Sequence, residues 1–497
     1  MILIVHSSFW PIFSAVIYAF NLAIAVYASV TMILRRHDPI KTLAWTVVLL
    51  LVPYVGIIFY LFFGQNYRKR KIFSRKGLAD YSIKRDIANS ELEQLSNNSY
   101  PFDSELQQFR KLIYQNLSNS YSLIDYNTNI EFFFNGKEAL DAMYAEIEKA
   151  QHHIHLQTYI LENDRVGQRF TELLKQKAKS GLEVRVMFDG VGSIKLKKKF
   201  IKELEEASIE VLEFSPVKFY LPYRTLNYRN HRKILIVDGK VGFIGGVNIA
   251  DRYYYGNENG EWYDTQIKIV GESVFSLQAS FMLDRYFVMN KRLRFSKKYY
   301  PQISSLRLQE AHIESYYRAQ IISSGPDSDW AGIMQCYFTA INLAKDHIYI
   351  VTPYFTPNET ILNALKVAAL GGIDVRIMIP KSGDSRAAYY STRSYFTELL
   401  EAGVKFYLFA KGFNHSKVIS IDNKMAIIGS ANMDSRSFEH NFEIMGALYS
   451  GYCSKIIESE FLKYIADSEE VILTEWKNRP KIEKIQESFY RLMAPLL

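Results

Sequence analysis

Asn230–Asn248 reads NHRKILIVDGKVGFIGGVN. Two apolar runs, Ile234–Val237 and Val241–Ile244, flank Asp238-Gly239-Lys240, the pattern of two strands joined by a tight Asp-Gly turn. Side chains alternate along a strand, so His231 and Lys233 point to one face. An imidazole that titrates near neutrality, beside a fixed cation, suits an anionic substrate such as a phosphate. Asp238 has the opposite parity and sits at the turn, placed to brace the hairpin rather than to touch substrate.

A His near a Lys on a strand is, by itself, usually a solvated pair. This chain writes the pattern twice. Asn414–Asn432 reads NHSKVISIDNKMAIIGSAN, with His415, Lys417 and Asp422 at the same offsets, and the interval from His231 to Asn248 is that from His415 to Asn432. Repeated spacing of four polar residue types is not a packing pattern; it marks a duplicated site. The halves also match upstream. His153–Tyr159 aligns with His347–Tyr354, Gly181–Met187 with Gly372–Met378, and Lys202–Val211 with Thr397–Phe406. Each half is then strand, helix, strand, helix, strand and motif hairpin. Two α/β units of one kind predict a pseudo-twofold arrangement with the two motifs face to face. The turn-rich Ser323–Asp327 marks their boundary.

The paired His-x-Lys-x4-Asp motifs, each followed by Gly-Gly or Gly-Ser and then Asn, resemble those of the phospholipase D superfamily. An N-terminal apolar pair, SGPDSDW at Ser324–Trp330 and the ending RLMAPLL at Arg491–Leu497 narrow the resemblance to its bacterial cardiolipin synthases, over essentially the whole chain. The resemblance implies an α/β fold of duplicated phospholipase D-like lobes in a pseudo-twofold arrangement, preceded by a transmembrane helical hairpin. It implies phosphatidyl transfer between two phosphatidylglycerol molecules, giving cardiolipin and glycerol through a phosphatidyl-histidine intermediate. His231, Lys233 and Asp238, with His415, Lys417 and Asp422, are then the catalytic motifs, and Asn248 and Asn432 bind substrate. Asp264 and Glu443, each downstream of its own motif, would orient the motif histidines. In the superfamily the N-terminal motif's His usually attacks, here His231; the near-symmetric motifs alone do not assign it.

The residues support the chemistry independently. One imidazole attacks phosphorus while the other protonates the departing alkoxide and then deprotonates the incoming alcohol, splitting a hard displacement into two steps. The lysines and the two asparagines would hold the non-bridging oxygens where charge accumulates. No carboxylate cluster points to a metal, and no cofactor is expected. Rival readings are a phospholipase D-type hydrolase or another phosphatidyltransferase, a membrane-tethered nuclease, and an idle scaffold. Intact duplicate motifs argue against the scaffold. A spanning hairpin argues against the nuclease, so nucleic acid is not an expected partner.

The chain has 497 residues, net charge +8 and 14% aromatic residues, which favours anionic partners and a membrane interface. Its two cysteines, Cys336 and Cys453, form neither a disulfide framework nor a zinc pattern. Apolar stretches from about Phe9 to Leu34 and Leu43 to Phe63 are each long enough to cross a bilayer, with Pro53 placed to kink the second. The heavier basic cluster, Arg68–Lys71 with Arg75 and Lys76, places the N-terminus and catalytic region in the cytoplasm of a multi-pass protein of the bacterial cell membrane. The expected organisation is an anchor over 1–76, a linker over 77–128, and lobes over 129–322 and 323–497. In the tail, Ile482, Ile485, Phe489 and Leu492 recur at helical spacing, fit either to graze a membrane or to dock on the core.

Overall fold

Pairing of the apolar runs organises the chain. The computed structural model describes residues 2–34, 39–52, 54–63, 79–216, 228–258, 260–290, 296–301 and 317–494. They fall into an N-terminal helical unit and an α/β body.

In the helical unit, Ile2–Leu34 is one helix, and its stretch Pro11–Leu34 is apolar, with mean hydropathy 1.9. At ~1.5 Å per residue it can cross a hydrocarbon core of about 30 Å. The second stretch differs from expectation. It forms two helices, Pro39–Leu51 and Val55–Phe63, of 13 and 9 residues, with Tyr54 between them at φ +69°. The break lies between Leu51 and Val55. Neither piece alone reaches the roughly 20 residues a straight crossing needs. Small side chains let the first two helices approach: Ala25 and Ala28 are buried with Met32 and Leu49, and Thr46 Oγ1 donates to Ser29 Oγ at 3.1 Å. The basic clusters that would set orientation, Arg35-Arg36 and Arg68–Lys71 with Arg75 and Lys76, lie outside the described residues. So do the last three residues of the tail.

In the body, the first half contributes β1 (Asp125–Asn135), β2 (His153–Thr158), β3 (Glu183–Asp189), β4 (Glu210–Phe214), β5 (Ile234–Val237), β6 (Val241–Gly245) and β7 (Glu261–Gly271). The second half contributes β8 (Tyr317–Ser324), β9 (His347–Val351), β10 (Phe355–Thr356), β11 (Asp374–Pro380), β12 (Lys405–Phe409) and β13 (Gly412–Asn414). It continues with β14 (Val418–Ile421), β15 (Met425–Gly429), β16 (Met433–Asp434), β17 (Glu443–Tyr449) and β18 (Ser468–Glu470). The main sheet runs β4-β3-β2-β5-β6-β7-β1-β8-β17-β15-β14-β9-β11-β12-β18. Read from its middle outward, either way gives the same sequence of equivalent strands, with β18 added at one end. The lobes therefore share one sheet. Strand β8 straddles the expected boundary and pairs with β1 of the first lobe and β17 of the second.

Helices cover the sheet through regular apolar stripes. In the helix Arg165–Lys179, Val166, Phe170, Leu174 and Ala178 recur every four residues and are buried against Leu156, Val186 and Leu235 of the sheet. Fully burying such a side chain contributes ~1.5–3 kcal/mol. The segment expected to be a linker is largely helical, as Ala79–Ser96, Ser104–Gln107 and Arg110–Ser120. Ala88, Leu95, Leu106, Leu112, Ile113 and Leu117 of these helices are buried. The stretch read from sequence as a linker with helical patches thus packs part of its apolar surface.

Candidate active site

Both motif hairpins form as their spacing predicts. In β5–β6, Ile234 pairs with Ile244, and Asp238 and Gly239 turn the chain at φ +55° and +65°. In β14–β15, Asp422 and Asn423 do so at +55° and +54°. Two successive positive φ values make the tight turn whose twist matches the strands. The turn aspartates hold neighbouring backbone. Asp238 accepts N–H bonds from Gln151, His152 and His153 at 2.9, 2.7 and 2.9 Å. Asp422 does the same for Lys345, Asp346 and His347 at 2.8, 2.8 and 2.9 Å. Each aspartate stands one four-residue strand beyond its motif lysine, with both carboxylate oxygens engaged by backbone N–H groups. Asp238→Ala is expected to cost about 1–3 kcal/mol of stability by removing three N–H bonds to a carboxylate, while formation of a covalent adduct with substrate persists. Chemical denaturation beside intact-mass measurement checks it.

The histidines themselves come together through an exchange between lobes. Strand β13, leading into the second motif, pairs with β7 of the first lobe, and His415 N–H donates to Tyr263 O at 2.7 Å. On the other side Asn230 bridges to Phe442, and His231 N–H donates to Phe442 O at 2.9 Å. Each histidine thus arrives next to β7 or the start of β17 in the opposite lobe. His231 Nδ1 lies 3.0 and 3.1 Å from the Glu443 carboxylate oxygens, and His415 Nδ1 lies 2.7 Å from Asp264 Oδ2. The orienting carboxylates are the expected residues, but their pairing is crossed. Asp264 serves the second motif and Glu443 the first.

The cluster is closed and highly charged. Lys233 and Lys417 are 2% and 1% exposed, and each ammonium donates to the carbonyl of its own motif histidine, Lys233 at 2.7 Å. Burial pushes the Lys233 ammonium down to about 7 and that of Lys417 to about 8, against the pull of Glu443 and Asp264. The fixed cations expected from the sequence are thus drawn toward neutrality by burial, with Lys417 adding to the effect on Lys233. Burial also lowers His231 to about 4, with Glu443 opposing and Lys233 reinforcing. His415 is held well below its ordinary value by burial, Lys417 and Lys233.

The two carboxylates differ. Burial raises Asp264 to about 7 although Lys417 and Lys233 oppose it. Burial would raise Glu443 too, but His231, Lys233 and the Ser430 hydroxyl outweigh it, and its carboxyl is lowered. Ser430 Oγ donates to Glu443 Oε2 at 2.5 Å. The matching position in the first lobe is Gly246, where a Cβ would stand 2.0 Å from Asp264 Oδ1. The Gly-Gly and Gly-Ser versions of the motif are thus each cut to their carboxylate.

Asn248 and Asn432 take different places. Asn248 accepts from Thr158 Oγ1 and Ile160 N at 3.2 and 3.0 Å and donates to Tyr253 Oη at 2.5 Å, so its carboxamide is engaged within the protein. Asn432 is 6% exposed, and its Oδ1 is buried without a partner. The sequence reading assigned no role to Tyr159 or Tyr354. Tyr159 meets the His231 ring edge-on at 5.0 Å, with Lys233 Nζ 5.4 Å over its face, and Tyr354 stands 6.3 Å from the His415 ring. Their shared position after β2 and β9 was the available signal.

Comparison with known proteins agrees with this geometry. The family described as "Cardiolipin synthase, PLD-like domain" matches residues 143–272 and 337–465, and "Phospholipase_D-nuclease N-terminal" matches 23–65. The chain is 39% identical over 498 residues to a cardiolipin synthase of Halalkalibacterium halodurans, covering 99% of this chain and 96% of that one. It is 40% identical to the cardiolipin synthase of a Geobacillus species, covering 95% and 92%. Among solved structures, the phosphatidylserine synthase of Haemophilus influenzae superposes with a TM-score of 0.59 at 15% identity, covering 80% of this chain and all of that one. That last likeness is one of fold.

Proposed function

This chain belongs to the cardiolipin synthase family, with its duplicated phospholipase D-like domain, and from that premise we propose that it joins two phosphatidylglycerol molecules into cardiolipin with release of glycerol. It is a phosphatidyltransferase acting on phospholipid at a membrane. The observation that carries the finer reading is the pair of buried imidazoles in one charged cluster, each held at Nδ1 by the other lobe's carboxylate.

The difference between the two carboxylates supports the division of labour. The His231–Glu443 pair is free of its extra proton at neutral pH, which leaves an imidazole Nε2 lone pair for attack. The His415–Asp264 pair keeps a proton into the neutral range through Asp264 and suits the acid. His231 then attacks phosphorus as the P–O bond to glycerol breaks, and His415 gives the leaving oxygen its proton. In the second step His415 takes the proton from a hydroxyl of the second phosphatidylglycerol. That oxygen attacks phosphorus, the P–N bond breaks, and His231 is restored. Lys233 and Lys417 hold the non-bridging oxygens, and Asn432, whose buried Oδ1 has no partner, is assigned to substrate. Asn248 acts through Tyr253 and Thr158. We place residues 2–63 as a two-pass anchor and the body in the cytoplasm, on the weight of the basic residues at 68–76.

Mass spectrometry of the products formed from phosphatidylglycerol alone tests the reading. Cardiolipin with equimolar glycerol is expected; phosphatidic acid without cardiolipin would replace it with a hydrolase. A pH profile gives a second test. As pH rises through about 7 to 8 the two lysines and the Asp264–His415 pair lose protons, so kcat/KM is expected to fall on the alkaline side. It should hold steady down to about pH 5, above the His231 value. Lys233→Arg keeps its charge but changes shape, so it should lower the plateau by ~10-fold or more and move the alkaline limb upward. An unchanged limb would show that Lys233 does not set it.

A further inference from the structure

The carboxyl-terminal helix Lys481–Met493 is folded inside out for a helix packed on a water-soluble body. Glu487 and Arg491 make their polar contacts with the body. Glu487 is 4% exposed and takes Arg479 Nε at 3.1 Å. Arg491 donates to Ser394 O at 2.9 Å and to Glu398 Oε1 at 2.5 Å, and the Tyr490 ring stacks on Tyr390 at 5.5 Å. Its apolar side chains face outward: Ile482, Ile485, Phe489 and Leu492 are 61%, 64%, 59% and 80% exposed. Their spacing places all four on one stripe, opposite Glu487 and Arg491. Lys481 and Lys484 follow on its flank. Such a stripe is rare on a surface bathed in water and suits the headgroup–acyl boundary.

What lies behind this helix points to the same occupant. It packs on the helix Arg386–Arg393, whose Tyr389 and Arg393 line a pocket with Tyr354, Asp384 and Phe413. Arg393 lies 4.2 Å over the Tyr389 ring, and the Tyr354 hydroxyl donates to Asp384. The far wall, Tyr354 and Phe413, stands 6.3 and 6.1 Å from the His415 ring. An outward apolar stripe, flanking lysines, a basic chain and a small pocket two of whose lining rings neighbour His415 together fit an anionic lipid surface.

We propose that the helix Lys481–Met493 lies in the interface of an anionic bilayer, with Ile482, Ile485, Phe489 and Leu492 among the acyl chains, and that lipid reaches the Tyr389–Arg393 pocket from there. Docking does not depend on the transfer reaction; lipid access rests on the function proposed above. Cys336 and Cys453 are both buried, so Ile485→Cys in the full chain takes an environment-sensitive fluorophore selectively. In vesicles containing phosphatidylglycerol, acrylamide quenching of that label should fall at least about threefold below that of a label placed by Lys199→Cys, on an 88% exposed side chain. Equal quenching at the two positions overturns docking. Protection that persists without lipid and grows with protein concentration assigns the stripe to a second copy of the chain, and overturns it as well. For access, Ile485→Asp with Phe489→Asp should slow turnover of vesicle phosphatidylglycerol about fivefold or more and leave a short-chain soluble phosphodiester within about twofold. Unchanged turnover on vesicles overturns access. Failure to form cardiolipin at all would unseat the transfer reading while leaving the label result standing.

Discussion

His415→Ala is expected to trap a phosphorylated enzyme, and His231→Ala to form none. The reasoning turns on leaving groups. An alkoxide needs a proton to depart, whereas an activated phosphodiester with a good leaving group does not. Without His415, an activated substrate should still transfer its phosphoryl group to His231, and the adduct should persist because nothing deprotonates the acceptor. Turnover of phosphatidylglycerol should fall by at least ~10²–10⁴-fold in this variant. Without His231 neither substrate should leave a mass on the protein. Intact-mass measurement after rapid quenching without acid reads both results. An adduct that survives His231→Ala and maps to His415 would reverse the roles.

Glu443→Gln should cripple the histidine of the opposite lobe. Because Glu443 reaches His231 at 3.0 Å across 212 residues of chain, the amide would remove the ionised partner that holds Nδ1–H, and adduct formation itself should slow by ~10²–10⁴-fold. Asp264→Asn acts on His415 and should spare the first phosphorylation by an activated substrate while blocking transfer onward. Were each carboxylate serving its own lobe, the two outcomes would be exchanged. Rapid-quench measurement of adduct formation and decay in both variants therefore tests the crossed pairing directly. Rescue by Glu443→Asp at reduced rate would separate orientation from folding.

The hairpins, their duplication and the strand sequence of each lobe were legible because short apolar runs joined by Asp-Gly or Asp-Asn turns, written twice at one spacing, are local signals. Asp264 and Glu443 were also visible as acidic residues after their motifs. Which histidine each serves was not. That depends on β13 joining β7, and on Asn230 bridging to Phe442, pairings made only when the lobes meet. The lysine titrations stayed hidden for a related reason, since the depression of Lys233 comes from burial in the assembled site. In the tail the stripe of Ile482, Ile485, Phe489 and Leu492 was plain, yet its direction was not. It is set by Glu487 and Arg491 finding Arg479, Ser394 and Glu398 on the inner side.

The crossed carboxylates also set a timetable for the living cell. A ribosome that has released the first lobe has made His231, Lys233 and their hairpin, yet Glu443 is still to be polymerised. During that interval His231 lacks its orienting partner, and the free edge of β1 still awaits β8. The nascent chain can be delivered to the membrane through its leading apolar helix while its histidine is unarmed. With the roles proposed above, reactivity towards the surrounding lipid is expected only after translation passes Glu443 and the strand it begins has docked.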